Sequence, residues 1–206
     1  MSQNPRSRQY SAIAKSIVLL LSVTACRSTP SEAQLQTWHQ EAIARNTQQL
    51  TDPANRREQG SWQLAVQGQT KSPTAEPLNW EQLQALAQTH VPTQDPSHAA
   101  DPNAILDFKG IPVSQLLDRF GVAPNATEVT FVAFDAFHAT VSIADLRRYP
   151  IILALERNGK PLTRQQGGPL YLVFPHAQYP ELKSKYQGGF WVFYVTHAIV
   201  GMETVR

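Results

Sequence analysis

Ile151-Ile152-Leu153-Ala154-Leu155-Glu156, then Asn158-Gly159, and further on Leu170-Tyr171-Leu172-Val173-Phe174-Pro175, form the stretch that decides the class of this chain. Both apolar runs are bounded by turn residues, which reads as strand, turn and strand. Asn-Gly between a strand and a polar stretch is a strong hairpin signal, because both residues tolerate positive φ. Working back, Val129–Phe134 and His138–Ile143 predict a second hairpin around Asp135-Ala136-Phe137, and 144–149 predict a helical turn. Working forward, Phe190–Val200 reads as one long final strand, rich in aromatic and branched residues, with Trp191, Phe193 and Tyr194 in a packed face and His197 structural. The first half is mixed. Trp62–Val66 alternates like a half-buried strand, Trp80–Gln88 and Val113–Phe120 have helical periodicity, and Gly121 is a natural stop for the second helix. Residues 89–104, with their prolines, histidines and aspartates, read as an irregular loop. Short strands with a few short helices predict an α+β domain.

The 206 residues suffice for one domain plus a tail. The first 25 residues have a different character. Arg6, Arg8 and Lys15 precede the apolar run Ile17–Leu21, and Val23-Thr24-Ala25-Cys26 follows. A run this short suits an export signal better than a membrane span, which needs about 20 apolar residues. The final four residues resemble the lipobox of bacterial lipoproteins. That resemblance implies cleavage before Cys26 and acyl chains on its sulfur, holding the protein to a membrane on the extracytoplasmic side of the cell envelope. Arg27 is not the Asp that commonly marks inner-membrane retention in lipoprotein families. The expected organisation is a signal peptide at 1–25, a tether at 26–60 and a domain at 61–206. Within the tether, Ser31 predicts a helix cap with Gln34 three residues on, and Leu35, Trp38, Ala42 and Ile43 share a face.

Removing the leader changes the charge. The whole chain has 18 Lys plus Arg against 16 Asp plus Glu, and without Arg6, Arg8 and Lys15 the balance is 15 against 16. A nearly neutral mature protein lacks the basic stripe of a nucleic-acid binder. Cys26 is the only cysteine. Once it is lipidated, disulfides, a Cys nucleophile and thiolate metal ligation are excluded from the domain.

The order of several segments resembles the molybdopterin-binding domain of the sulfite oxidase family. They are Trp62–Gly68; Phe108-Lys109-Gly110-Ile111-Pro112-Val113 followed by Leu116-Leu117 and Gly121; Asp135-Ala136-Phe137 leading to Val141-Ser142-Ile143 and Asp145-Leu146; Ile152–Leu155 followed by Asn158–Leu162; and Gly168–Pro175. The resemblance covers residues 61–202 and is nearer to a short, single-domain bacterial branch, echoed by Tyr179–Lys183, Tyr186 and Trp191-Val192-Phe193. It implies a mixed-sheet, barrel-like fold with short peripheral helices, and a molybdopterin cofactor. Catalytic members hold molybdenum through one Cys between the first helix and the Gly-x-Pro segment. The matching stretch here, Thr89–Asp107, contains none. Those members also tend to have a His before Gly-x-Pro and an Arg after it, where this chain has Gln166 or Gly167, and Tyr171. The departures predict the family fold without molybdenum chemistry and without a bound cofactor, the alternative being molybdopterin held by atypical ligation.

Candidate ligand-binding residues follow from both readings. Arg164 and Gln166 precede the Gly167-Gly168-Pro169 turn, where a ligand can approach backbone and a guanidinium can hold an anion. Asp135 and His138 flank the second hairpin, and Tyr171 and His176 lie around the Gly-x-Pro strand. His90, Asp95, His98 and Asp101 are candidate metal ligands by residue type, with His90 and His98 the weak nitrogen donors, but their spacing matches no metal motif. No nucleophile signature, phosphate-cradling loop or paired carboxylates occur, so no catalytic residue is assigned. The sequence therefore predicts a lipid-anchored envelope protein that binds a small molecule or another envelope protein. The alternatives are a molybdopterin-dependent oxidoreductase and a structural protein that uses its aromatic last strand as an exposed edge.

Overall fold

A computed structural model describes residues 59–71, 76–97 and 99–201, and parts of a helical segment within 31–41. The expected leader at 1–25, Cys26, His98 and most of the expected tether at 26–60 lie outside the described residues. In the tether helix Gln34 N–H donates to Ser31 Oγ (3.3 Å) and Ser31 N–H to Gln34 Oε1 (2.9 Å), the expected capping box. Trp38 is half-buried there, while Leu35, Ala42 and Ile43 lie outside the described residues.

The domain is α+β, with two five-stranded sheets. The first runs β2 (Leu78–Asn79), β1 (Gln63–Gly68), β10 (Val195–Gly201), β5 (Glu128–Ala133), β6 (His138–Ser142). In it β1 and β10 are parallel and the other pairs antiparallel. The second runs β3 (Thr89–Thr93), β4 (Leu106–Pro112), β7 (Ile152–Arg157), β8 (Lys160–Pro161), with β9 (Tyr171–Val173) also paired to β7. Strand β7 is the hinge of this sheet. Ile152, Leu153, Ala154 and Leu155 are all buried, so the stretch that decided the class lies at the heart of the core.

Four short helices lie around the sheets: α1 (Trp80–Leu86), α2 (Val113–Phe120), α3 (Ile143–Arg148) and α4 (Pro180–Lys185). Asn79 caps α1 in a capping box with Gln82. Helix α2 buries Val113, Leu116 and Leu117 and ends, as expected, at Gly121 in the left-handed region (φ 60). Asn158 and Gly159 both have positive φ (52 and 70), the geometry that a tight hairpin of this twist requires. Helix α4 was not anticipated. Pro180 starts it, and Lys185 and Tyr186 pin its end by donating to Asp145 Oδ2, the phenol at 2.5 Å. Burial would raise the Asp145 carboxyl, but hydrogen bonds from Lys185, Tyr186 and Ser142 outweigh it, and the group sits below its usual range.

Two expectations are corrected. Residues 89–93 are a strand, not irregular loop: β3 pairs antiparallel with β4, which the sequence read only as a lead-in to α2. Val91 and Thr93 point in and His90 and Pro92 out, and β3 is an edge strand, where a proline costs no ladder bond. The final strand begins at Val195, not Phe190, because Gly188–Phe190 forms a 3-10 turn and Tyr194 adopts φ 54. Strand β10 is not an edge. It lies between β1 and β5 and is buried along its whole length.

Candidate functional site

The polar chemistry of the domain gathers in two places. The first is buried. After β3 the chain turns inward, and Thr93 and Asp95 are fully enclosed. Asp95 Oδ2 accepts from Arg157 Nη1 (3.3 Å), and Asp95 Oδ1 accepts from the Tyr171 hydroxyl (3.2 Å) and from Ser97 N–H (3.0 Å). Arg157 closes β7 and Tyr171 opens β9, so the ends of three strands of one sheet supply the knot. A carboxylate removed from water needs such a partner. Burial, and then the Asp95 charge, push the Tyr171 phenol well above the usual tyrosine range, so it stays a neutral donor.

The Tyr171 ring begins an aromatic wall. It packs on Phe108 (6.0 Å), Trp191 (5.5 Å) and Phe193 (4.9 Å), and Trp191 continues to Phe174 (5.9 Å) and His176 (5.3 Å). Burial, helped by the charge of Lys183, pushes His176 down to about 4, so its ring is neutral at pH 7. Next to it, Ala177 N–H donates to Thr93 Oγ1 (3.4 Å), tying the loop after β9 to the end of β3.

The second place is an exposed rim where two turns meet. The Arg164 guanidinium lies over the Phe134 ring (5.9 Å), and the Arg164 carbonyl accepts from the Tyr194 hydroxyl (2.8 Å). Tyr194 N–H donates to the Gly167 carbonyl (3.1 Å), and its own carbonyl accepts from Phe134 N–H (2.9 Å). These bonds hold Tyr194 in a left-handed conformation that bulky side chains rarely adopt. Ala136, at the tip of the β5–β6 hairpin, has φ 70. Beside it Phe137 is 44% exposed, and Asp135 and His138 are exposed.

The sequence candidates divide between these places. Arg164, Gln166, Asp135 and His138 belong to the two turns of the rim. Gln166 uses its Oε1 to cap Thr163 N–H (3.0 Å), and Asp135 Oδ1 accepts from Phe137 N–H (3.2 Å), so both shape their turns. Tyr171 and His176 belong to the buried wall, joined through Trp191. Tyr171, a candidate ligand-binding residue by sequence, has no exposed surface, and its hydroxyl is engaged by Asp95.

The polar residues of 89–104 disperse. His90 Nδ1 lies 2.8 Å from Asp107 on the surface, Asp95 turns into the core, and Asp101 accepts from Asn103 N–H (2.9 Å) in a local turn. Among the described residues no group of three or more His, Cys, Asp or Glu gathers as a metal cage would. Sequence reasoning missed Arg157 and Thr93 as partners of this region. Arg157 adjoins a hairpin turn and reads as surface, and nothing local to it signals Asp95, 62 residues away.

One mixed and one antiparallel sheet, short peripheral helices and strand ends converging on an enclosed polar knot define an α+β architecture. Residues 50–180 match the family described as oxidoreductase molybdopterin binding domain, and the chain belongs to that family. It is 27% identical over 117 residues to a Bacillus subtilis (strain 168) protein named "Uncharacterized oxidoreductase YuiH", covering 56% of this chain and 57% of that one. The fold is also that of the sulfane dehydrogenase SoxCD from Paracoccus pantotrophus, with TM-score 0.57 and 18% identity over 73% of this chain and 40% of that one. The chain thus spans little more than half of the first relative and less than half of the second.

The residues present do not fit a molybdenum centre held by a protein thiolate. No cysteine follows Cys26. In the stretch where a thiolate is expected, the enclosed oxygens of Thr93 and Asp95 are already engaged by protein groups. Hard oxygen donors so engaged are a poor substitute for a soft thiolate.

Proposed function

We propose that this chain is an envelope lipoprotein, anchored through acyl chains on Cys26, whose domain keeps the family fold as a binding or accessory protein and does not run molybdenum redox chemistry. The observation that carries the reading is the Asp95–Arg157–Tyr171 knot, which engages the buried polar groups of the cysteine-free stretch. The rim supplies what a binding site needs instead. It has an exposed guanidinium fixed on an aromatic ring, an exposed Phe137, and loops at the mouth of a rigid scaffold. The partner it fits is a small anionic or polar molecule, or a surface of another envelope protein presenting such a group. Mature charge near neutrality supports no nucleic-acid role. An edge-mediated structural role loses its basis, because β10 is enclosed on both sides.

The test is elemental and pterin analysis of the full chain, exported in a host with an intact molybdenum-cofactor pathway and labelled with radioactive palmitate. Expected are acylation that Cys26→Ser abolishes, no stoichiometric molybdenum, and no pterin fluorescence after denaturation. Molybdenum and pterin near one per chain overturn the non-catalytic reading. They would favour the second one, an oxidoreductase with atypical ligation, which membership of a molybdopterin-binding family supports.

A further inference from the structure

Buried indole N–H groups normally find an acceptor. Trp62 follows the rule: it is enclosed, and its Nε1–H donates to the Val195 carbonyl at 2.8 Å. Trp191, equally enclosed, does not: among the described residues no group accepts from its Nε1–H. The ring touching it has the complementary deficit. His176 is only 7% exposed, and its Nε2 has no partner among the described residues. The backbone of Tyr186 accepts from the imidazole's other side, so the neutral ring keeps its proton on Nδ1 and offers Nε2 as an acceptor. The two rings meet edge to face, centroids 5.3 Å apart. One oxygen making two hydrogen bonds of about 2.9 Å joins nitrogens up to roughly 6 Å apart, the scale of the 5.3 Å between these ring centroids.

The surroundings narrow the chemistry. Phe174 stacks on His176 at 5.7 Å and Tyr171 tilts against Trp191 at 5.5 Å, so the walls are aromatic. An anion would be drawn by Lys183 but would find a single donor beside the lone pair of His176 Nε2. A cation would find one acceptor and the opposing charge of Lys183. One donor beside one acceptor matches a neutral hydroxyl. Among the described residues the other unpartnered buried side-chain atoms belong to Gln67, Gln69 and Thr70, near residues 72–75, which lie outside that set.

We propose that Trp191 and His176 together hold one small neutral hydroxylic molecule, which accepts from Trp191 Nε1–H and donates to His176 Nε2. Its source is either solvent water or an alcohol-sized metabolite, and the chemistry is shared. This inference does not depend on the rim reading, nor on whether a molybdenum cofactor binds.

The test uses the full acylated chain in detergent. High-resolution diffraction is expected to show one oxygen within hydrogen-bond distance of both nitrogens, and NMR magnetisation transfer from a bound hydroxyl or water to Trp191 Nε1–H. Mass spectrometry of the extracted chain separates the sources: a stoichiometric hydroxylic compound means a metabolite, none means water, and the oxygen at both nitrogens supports the proposal either way. His176→Phe is expected to abolish the transfer signal and lower Tm. The proposal is overturned if density and transfer are absent in the parent protein, or if a folded His176→Phe raises Tm, as filling an unoccupied polar gap would. The NMR readout on the parent stands even if that variant fails to fold.

Discussion

The buried knot and the exposed rim are built from neighbouring parts of the same strands, yet they answer opposite demands. In the knot a carboxylate, a guanidinium and a phenol spend their hydrogen bonds on one another, and Tyr171 and Asp95 have no exposed surface. In the rim the guanidinium of Arg164 rests on an aromatic face, outside any ion pair among the described residues, and strain is retained at Ala136 and Tyr194. Phe193 bridges them, packed on Tyr171 at 4.9 Å and on Tyr194 at 6.3 Å. The contrast shows how neighbouring parts of one fold can be closed in one place and open in another. Enclosed polar groups must be satisfied internally or be paid for in stability, whereas loop groups at the surface stay free to meet a ligand.

The sharpest way to break this comparison is to open the knot. Asp95→Ala leaves the Arg157 guanidinium, 14% exposed, and the Tyr171 hydroxyl without their shared acceptor. A loss of about 3–5 kcal/mol is expected in urea denaturation, the cost of orphaning a buried charge. Tyr171→Phe should cost only about 1–2 kcal/mol, since Arg157 still satisfies Asp95. If both variants are near neutral, the knot does not hold the domain together and the contrast with the rim fails.

Acid probes the aromatic wall. An ordinary histidine titrates near 6.5, whereas His176 does so at about 4. Between those values the unfolded chain binds a proton that the folded chain refuses, so stability falls as pH falls through the window, by up to about 3 kcal/mol. Thermal unfolding at pH 7, 5.5 and 4.5 should show that slope, and His176→Phe should flatten it. An unchanged slope in the variant would assign the effect to other groups.

The rim should respond least in stability. Arg164→Ala is expected to shift the unfolding free energy by less than about 0.5 kcal/mol, because the side chain is exposed. It should weaken capture of anionic ligands in a thermal-shift panel that the parent binds. A large loss of stability would mean that Arg164 is a structural member of the domain and not a ligand group.

The strand and helix pattern was legible where local chemistry dominates. The Asn158-Gly159 turn, the Gly121 stop and the Ser31–Gln34 cap each depend on residues within a few positions of one another. Strand β3 was misread because Pro92 signals loop, and only its edge position makes that proline harmless. The start of β10 was misplaced because the apolar run 190–194 has strand composition but Tyr194 is turned to positive φ by bonds to Gly167 and Phe134.

For the site the division is similar. The lack of any thiol after Cys26 and the presence of Arg164 beside a glycine turn were settled by the sequence, since they concern which groups exist. That Asp95 leaves its neighbours and meets Arg157 and Tyr171, 62 and 76 residues away, was settled only by tertiary structure. The same holds for Trp191 and His176, whose ring nitrogens lack partners among the described residues because packing removes both rings from water. The physical reason is common to both cases. A side chain's type is local, but its burial and its partners depend on how distant strands stack.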